Sequence, residues 1–360
     1  MKSSTISLIV MTLVCVLCLT TQQARAVSNS CEYTGPLAPI KGELIDTVRV
    51  MTMNVWGQKE FKESDSKCQA RLKTIGNNIA ITSPRFNIVG LTEVHPDYVG
   101  ITCDGSKLVD SIQSNGEYIG NKARWGHPET SAIAYDGGIS LFSTTAYEWH
   151  PYEKHVHQYS PKHKSRTAMG FIFATIQLKS GIALDVYVTH IHSTTGTVPG
   201  TNCNQACKFK ELQQLAYGIH ERSANSGNPV LVMGDFNIGG PNPTADHCLG
   251  NKGYGDIMDV LRNPRDMWLE AHPHIAGSTH SDERIDFMFF LTDAYFTSSP
   301  YELTISNSET VKLIQWKMSG FSKNLIWHQG PFRVSDHFGI EATLEVRKRL
   351  GLPTAFTAID

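Results

Sequence analysis

Eight short apolar runs, rich in β-branched residues, recur along the chain: Val48–Val55, Phe86–Leu91, Gly138–Phe142, Phe171–Gln177, Ala183–Thr189, Pro229–Met233, Ile285–Leu291 and Ile340–Val346. Runs of this length read as strands, and several are apolar on both faces, as in a sheet covered on both sides. Two intervals carry helical spacing instead. One is Cys68–Ile81. The other is Cys207–Arg222, where Phe209, Leu212, Leu215 and Ile219 share one face and Lys and Glu residues are expected on the other. Strands separated by helices predict a sheet-rich α/β chain.

The amino terminus reads differently. Lys2 precedes an apolar run from Ile6 to Thr20, followed by the small-x-small triplet Ala24-Arg25-Ala26. This is the pattern of a signal peptide over residues 1–26, and the run is short for a membrane-spanning helix. The expectation is a secreted protein whose single catalytic domain covers 27–360, since no Pro- or Gly/Ser-rich linker and no repeat divides the rest. Removing Lys2 and Arg25 leaves 30 basic against 34 acidic residues, a formal charge of −4. Such a balance argues against bulk nucleic-acid binding, which is driven by phosphate neutralisation, but not against a local basic cleft. Six cysteines remain: Cys31, Cys68, Cys103, Cys203, Cys207 and Cys248. An even count behind a signal peptide points to disulfides, with the pairing open. Cys203 and Cys207 are near enough to close a small loop, and a zinc site on that C-x3-C is the rival reading.

What the strands end on is more informative. Asn54 ends the first run, Glu93 the second and His190 the fifth. Asp235 and Asn237 end the sixth, Asp286 opens the seventh, and Asp336-His337 precedes the last. One Asp after a strand is usually a turn former or helix cap, and one His is usually structural. The ordered set is far more specific. On the segments Gly234-Asp235-Phe236-Asn237 and Ser335-Asp336-His337-Phe338-Gly339, then those around Asn54 and Glu93, the chain resembles the endonuclease/exonuclease/phosphatase superfamily from about Arg49 to Val346. That superfamily includes deoxyribonuclease I, abasic endonucleases, inositol polyphosphate 5-phosphatases and neutral sphingomyelinases.

The resemblance implies a four-layer α/β sandwich, two packed mixed β-sheets flanked by helices. It also implies a metal-dependent phosphoric ester hydrolase. Glu93 is then the principal metal ligand, with Asn54 beside it on metal or phosphate, and Asp336 adding to a metal or water shell. Oxygen ligands of this kind suit Mg²⁺, while Mn²⁺ or Ca²⁺ could compete. His337 is expected as general base, oriented by Asp286. His190, if protonated, and Asn237 would donate to the phosphoryl oxygens. Asp235 would position the water or share the proton transfer, and the division of labour between Asp235 and His337 stays open.

Two segments lean towards neutral sphingomyelinases: Asn54-Val55-Trp56-Gly57 and Thr189-His190-Ile191-His192-Ser193. Asp136-Gly137-Gly138-Ile139-Ser140 is similar to their Gly-Gly strand start. The interval Val311–Gly330 mixes Trp316, Phe321 and Trp327 with three lysines, a composition suited to a phospholipid membrane surface. A plain strand pair with core-facing aromatics fits the same interval. The alternatives are a secreted deoxyribonuclease I-like endonuclease acting on nucleic acid, an inositol-phosphate-type phosphatase using Lys162–Arg166, and an inactive binding protein on the same fold. No role is assigned to the remaining histidines, His280 among them.

Overall fold

A computed structural model describes residues 42–57, 64–95, 103–114, 117–122, 138–144, 148–149, 155–158, 169–193, 204–241, 252–316 and 333–350. All belong to one compact unit, Tyr33–Asp360. The expected signal segment and its boundary, Cys31, Cys203, Cys248, Phe321, Trp327, Asp136-Gly137 and Lys162–Arg166 lie outside the described residues.

The strands are β1 (Leu44–Asn54), β2 (Ile88–Thr92), β3 (Tyr118–Lys122), β4 (Ser140–Thr144), β5 (Glu148–Trp149), β6 (His155–Gln158), β7 (Gly170–Gln177), β8 (Ala183–His190), β9 (Val230–Asp235), β10 (Arg265–Asp266), β11 (Asp286–Leu291), β12 (Tyr301–Ile305), β13 (Lys312–Ile314) and β14 (Gly339–Lys348). The helices are α1 (Asp65–Ile81), α2 (Ser106–Gln113), α3 (Gln205–Ser223), α4 (Lys252–Val260) and α5 (Met267–Ala271). One sheet has the order β12-β14-β1-β2-β4-β3, with β13 also on β14. The other runs β10-β11-β9-β8-β7-β5, with β6 also on β7. Each sheet is mixed, because β1–β2 and β8–β9 are parallel while their other neighbours run antiparallel. The two mixed sheets with flanking helices are the expected sandwich.

All eight predicted runs form strands. Both predicted helices form too, but they start earlier than their apolar spacing suggested. Ser64 and Asn204 cap them, each side chain accepting from the backbone N–H three residues on.

Side-chain alternation sorts β1 into two cores. Val48 and Val50 face the space between the sheets, while Met51 and Met53 pack beneath α1 and α2. Thus β1 and β2 lie across β8, β9 and β11. Gly90 marks how closely, since a Cβ there would come within 2.7 Å of Met233 and 2.8 Å of Val188 on the opposite sheet. Cys68 and Cys103 form a disulfide tying α1 to the segment before α2. Cys207 is disulfide-bonded as well, so it is no zinc ligand.

The topology makes one functional edge. A parallel pair brings two strand C-termini together, and antiparallel neighbours bring their own starts to that edge. The C-terminal ends of β1, β2, β8 and β9 therefore meet the beginnings of β11 and β14.

Candidate active site

Register sets the first row of groups. Asp286 on β11 is paired with Asp235 on β9, and Asp235 with His190 on β8. Residues in register share a face, so three polar side chains lie side by side on adjacent strands. Asn54 reaches the same place from the other sheet. Its amide donates to Asp235 Oδ2 at 2.9 Å and to Glu93 Oε1 at 3.0 Å. His337 arrives from the turn before β14. Its Nδ1 donates to Asp286 Oδ2 at 2.8 Å, and its Nε2 lies 4.0 Å from both Asp235 Oδ2 and Asp336 Oδ1. His190 Nε2 is 3.6 Å from Asp235 Oδ2. Glu93, Asn54, His190, Asp235, Asp286, Asp336 and His337 are thus one connected cluster, although 283 positions separate its first and last members.

Asn237 borders it. Its amide donates to the Ile191 carbonyl at 2.8 Å, and its backbone N–H to Asp235 Oδ1 at 2.8 Å. Trp316 is elsewhere, half-buried against the core beneath α1 and α2.

The backbone at this edge is held in sparsely populated conformations. Trp56, Glu93 and Asn237 all have positive φ, at 53°, 61° and 49°. Such non-glycine residues persist where surroundings over-determine them, and here the determinants are visible. Asn54 Oδ1 accepts from Trp56 N–H at 2.9 Å. Arg71, buried on α1, stacks on the Trp56 ring at 4.4 Å and donates to the carbonyls of Trp56 and Val334 at 3.1 Å each. Ser335 Oγ then joins the Asn54 carbonyl at 2.7 Å and accepts from His337 N–H at 3.0 Å. Gly234 carries φ +135°, and a Cβ there would fall 2.0 Å from the Thr189 carbonyl, so only glycine lets β8 and β9 close side by side.

Helix α3 departs from its expected reading. Lys208 and Glu211 are buried on the inward stripe with Leu212 and Leu215, not on the solvent face. Glu211 accepts from the backbone and, at 2.5 Å, pairs with the ring of His192, while Lys208 donates to the Asn237 carbonyl. These two charges brace both segments that carry His190 and Asn237. Their spacing at 208, 211, 212 and 215 is itself a helical stripe, a signal the apolar residues alone did not use.

Charge states follow from burial. Desolvation pushes Glu93 up to about 7, helped by Asp336 and opposed by Asn54. It also lifts Asp235 and Asp286 above the usual carboxylate range. His190 is pushed down to about 3 by burial and by His192 and His337, so it is neutral here and any hydrogen bond it gives comes from a neutral ring N–H. For His337 burial is outweighed by Asp286, then Asp235 and Asp336, which raise it to about 10.

The donor set fits a hard divalent cation. Glu93 Oε2 and Asp286 Oδ1 are sealed from solvent without a hydrogen-bond partner, an arrangement a cation relieves. Glu93, with Asp336 near the opening, would hold it. Asn54 spends its amide protons on two carboxylates and its oxygen on Trp56, so it orients ligands in this structure. Among the described residues, two groups place three ligand atoms within 4.8 Å of one another, Asp235/Asp286/His337 and His280/Asp336/His337.

A pH dependence follows. The unfolded chain releases the Glu93 proton near 4.5, the metal-free fold only near 7. Between those values the native state binds more protons, so its stability falls as pH rises. His337 continues the trend, its contribution being complete below 6.5 and lost through about 10. Cation binding needs the ionised carboxylate. The rise in Tm produced by Mg²⁺ is therefore expected to be small near pH 5 and to grow to about pH 7. Thermal unfolding with and without Mg²⁺ checks this, and a pH-independent Mg²⁺ shift would contradict it.

The sequence matches the Endonuclease/Exonuclease/phosphatase family over residues 51–337. No curated protein sequence matches it. Among solved structures, β toxin from Staphylococcus aureus superposes with TM-score 0.58 at 16% identity, covering 82% of this chain and 99% of that one. A magnesium-bound mutant of the same toxin gives 0.55 at 16%, with the same coverages. TDP2 from D. rerio, complexed with a single-strand DNA product, gives 0.53 at 13%, covering 83% and 98%. At these identities the likeness concerns the fold.

Proposed function

The chain belongs to the Endonuclease/Exonuclease/phosphatase family, and from that premise we propose that it is a secreted, Mg²⁺-dependent phosphodiesterase of the sphingomyelinase C type, splitting sphingomyelin into ceramide and phosphocholine. The observation carrying the reaction class is Asp235 as a hub, within 2.9 Å of Asn54, 3.6 Å of His190 and 4.0 Å of His337. The substrate rests on the Asn54–Gly57 and Thr189–Ser193 segments.

A phosphodiester resists hydrolysis because its anion repels nucleophiles and its alkoxide leaves poorly. A bound cation supplies charge neutralisation for both problems. The protein's own groups move the protons. Water adds to phosphorus and its proton passes to Asp235. The phosphorus–oxygen bond to the leaving group breaks, and His337, which carries a proton in the metal-free protein, gives it to the departing alkoxide. This assigns His337 the acid's part rather than the base's. Asp286 holds the imidazole in orientation, as the acid does in a triad. Neutral His190 and Asn237 border the phosphoryl oxygens and supply N–H donors.

A lipid substrate requires membrane contact, and the aromatic and lysine-rich interval 317–330 supports it. Trp316, packed on the core, would anchor that interval rather than enter lipid. The test is a panel of sphingomyelin vesicles, double-stranded DNA and phosphatidylinositol phosphates, each with Mg²⁺ and with EDTA. Phosphocholine release lost in EDTA is expected. Preferential DNA nicking would replace the lipid reading with the nuclease one.

A further inference from the structure

His280 has no part in that mechanism, yet it stands against it. It forms an antiparallel backbone bridge with His337, and the Phe338 N–H donates to the Thr279 carbonyl at 2.7 Å. The two imidazole centroids are 4.7 Å apart, with rings tilted by 37°. His280 Nε2 lies 3.8 Å from Asp336 Oδ2, and Asp336 Oδ1 lies 4.0 Å from His337 Nε2. The His280 and Asp336 side chains are 39% and 34% exposed, so the group opens to solvent at the mouth of the cleft.

The geometry points to a second cation site here: His280, Asp336 and His337 take a borderline divalent ion such as Zn²⁺, which silences the phosphodiesterase. Two imidazoles and one carboxylate are the donors of a zinc site, whereas Mg²⁺ asks for oxygen. Tetrahedral zinc at about 2.0 Å from each donor sets donor separations of roughly 3.3 Å. One ligand atom from each of the three residues lies within 4.8 Å of the other two, so closing to that spacing takes shifts of at most about 1.5 Å, which the partly exposed His280 and Asp336 side chains on a fixed backbone bridge allow. Asp286 already holds His337 Nδ1, so Nε2 is the nitrogen turned to the ion, the arrangement that raises the basicity of a histidine ligand. The neighbouring Asp235/Asp286/His337 group is less suited to this ion, since all three residues are buried and Asp286 Oδ2 is engaged by that Nδ1. An ion on Nε2 replaces the proton that His337 gives to the leaving group. The inhibition therefore rests on the proposed reaction, while the ion binding does not.

The experiment has two arms on the full chain with saturating Mg²⁺. In the first, Co²⁺ is titrated and its visible d–d absorption followed, then displaced with Zn²⁺. Wild type is expected to bind one equivalent, and His280→Ala and His280→Asn to bind at least about tenfold more weakly. In the second, Zn²⁺ is added to turning-over protein. Wild type loses more than about tenfold of its rate, while both variants keep Mg²⁺-supported activity within about twofold and need at least about tenfold more Zn²⁺ for the same inhibition. Equal cobalt affinity in wild type and variants, or no cobalt bound by wild type, overturns the site. Cobalt binding that needs His280, with zinc leaving turnover untouched, overturns the inhibition. Where no diester is turned over, the cobalt arm alone decides, so failure of the phosphodiesterase reading is separable.

Discussion

Replacing His337 by alanine is expected to lower kcat for phosphodiester cleavage by roughly 10²–10⁴-fold, the range for a positioned proton-transfer group. The loss should depend on the leaving group. An alkyl diester needs a proton delivered as its bond to phosphorus breaks, whereas a p-nitrophenyl diester does not. If His337 serves as the acid, the activated substrate loses far less rate. Equal losses on both would return the ring to the role of base. Asp286→Asn should follow His337→Ala within about tenfold, because the 2.8 Å contact to Nδ1 sets the ring's orientation and which nitrogen bears the proton. Substrate affinity should change little in either variant, so the kcat-against-KM split is the measurement.

The largest effect on stability is expected at a pair two residues from Asp286. Arg284 donates through both terminal nitrogens to Asp266 at 2.8 Å, and both side chains are almost wholly buried. Asp266 also accepts from the Tyr254 hydroxyl at 2.9 Å and caps α5. Asp266→Ala strands a guanidinium in the interior and should cost about 3–5 kcal/mol. That is a large part of the roughly 5–15 kcal/mol that stabilises a typical domain. The double replacement Asp266→Leu with Arg284→Met leaves no orphaned charge and should cost less than the single one. Denaturant unfolding compares them. A double variant as unstable as the single would mean that the Tyr254 and cap contacts dominate. Activity should fall with stability, since the Phe236 and Gly240 N–H groups donate to the Ile285 and Arg284 carbonyls and so tie the segment carrying Asn237 to the residues just before β11.

The strands legible in the sequence are those buried on both faces. β7, β8 and β9 are mostly apolar along their length, the buried Asp185 on β8 apart, because they lie in the core between the opposite sheet and the outer helices. β5, β6 and β13 are two to four residues long, and β12 alternates polar and apolar residues. Such edge segments become strands only because a longer neighbour offers a free hydrogen-bonding side. Helix α5 is equally dependent, its start fixed by Asp266, which also answers to Arg284. At the site, Glu93, His190, Asp235, Asp286 and His337 were legible because a polar group ending an apolar run stands out. His280, Arg71, Lys208 and Glu211 were not. A histidine in a hairpin, or a charge on an amphipathic helix, has no local mark of what it will touch.

Local sequence was thus sufficient for the order of the eight predicted strands and the two predicted helices and for the identity of the polar groups at their ends, since periodicity and turn chemistry act over a few residues. Tertiary structure alone decided that Asp286, Asp235 and His190 stand in one row, that Asn54 bridges two sheets, and that His337 keeps its proton while His190 does not. Those outcomes depend on strand register and on the field of buried charges. Both arise only when segments hundreds of residues apart are brought within a few ångströms and water is excluded between them.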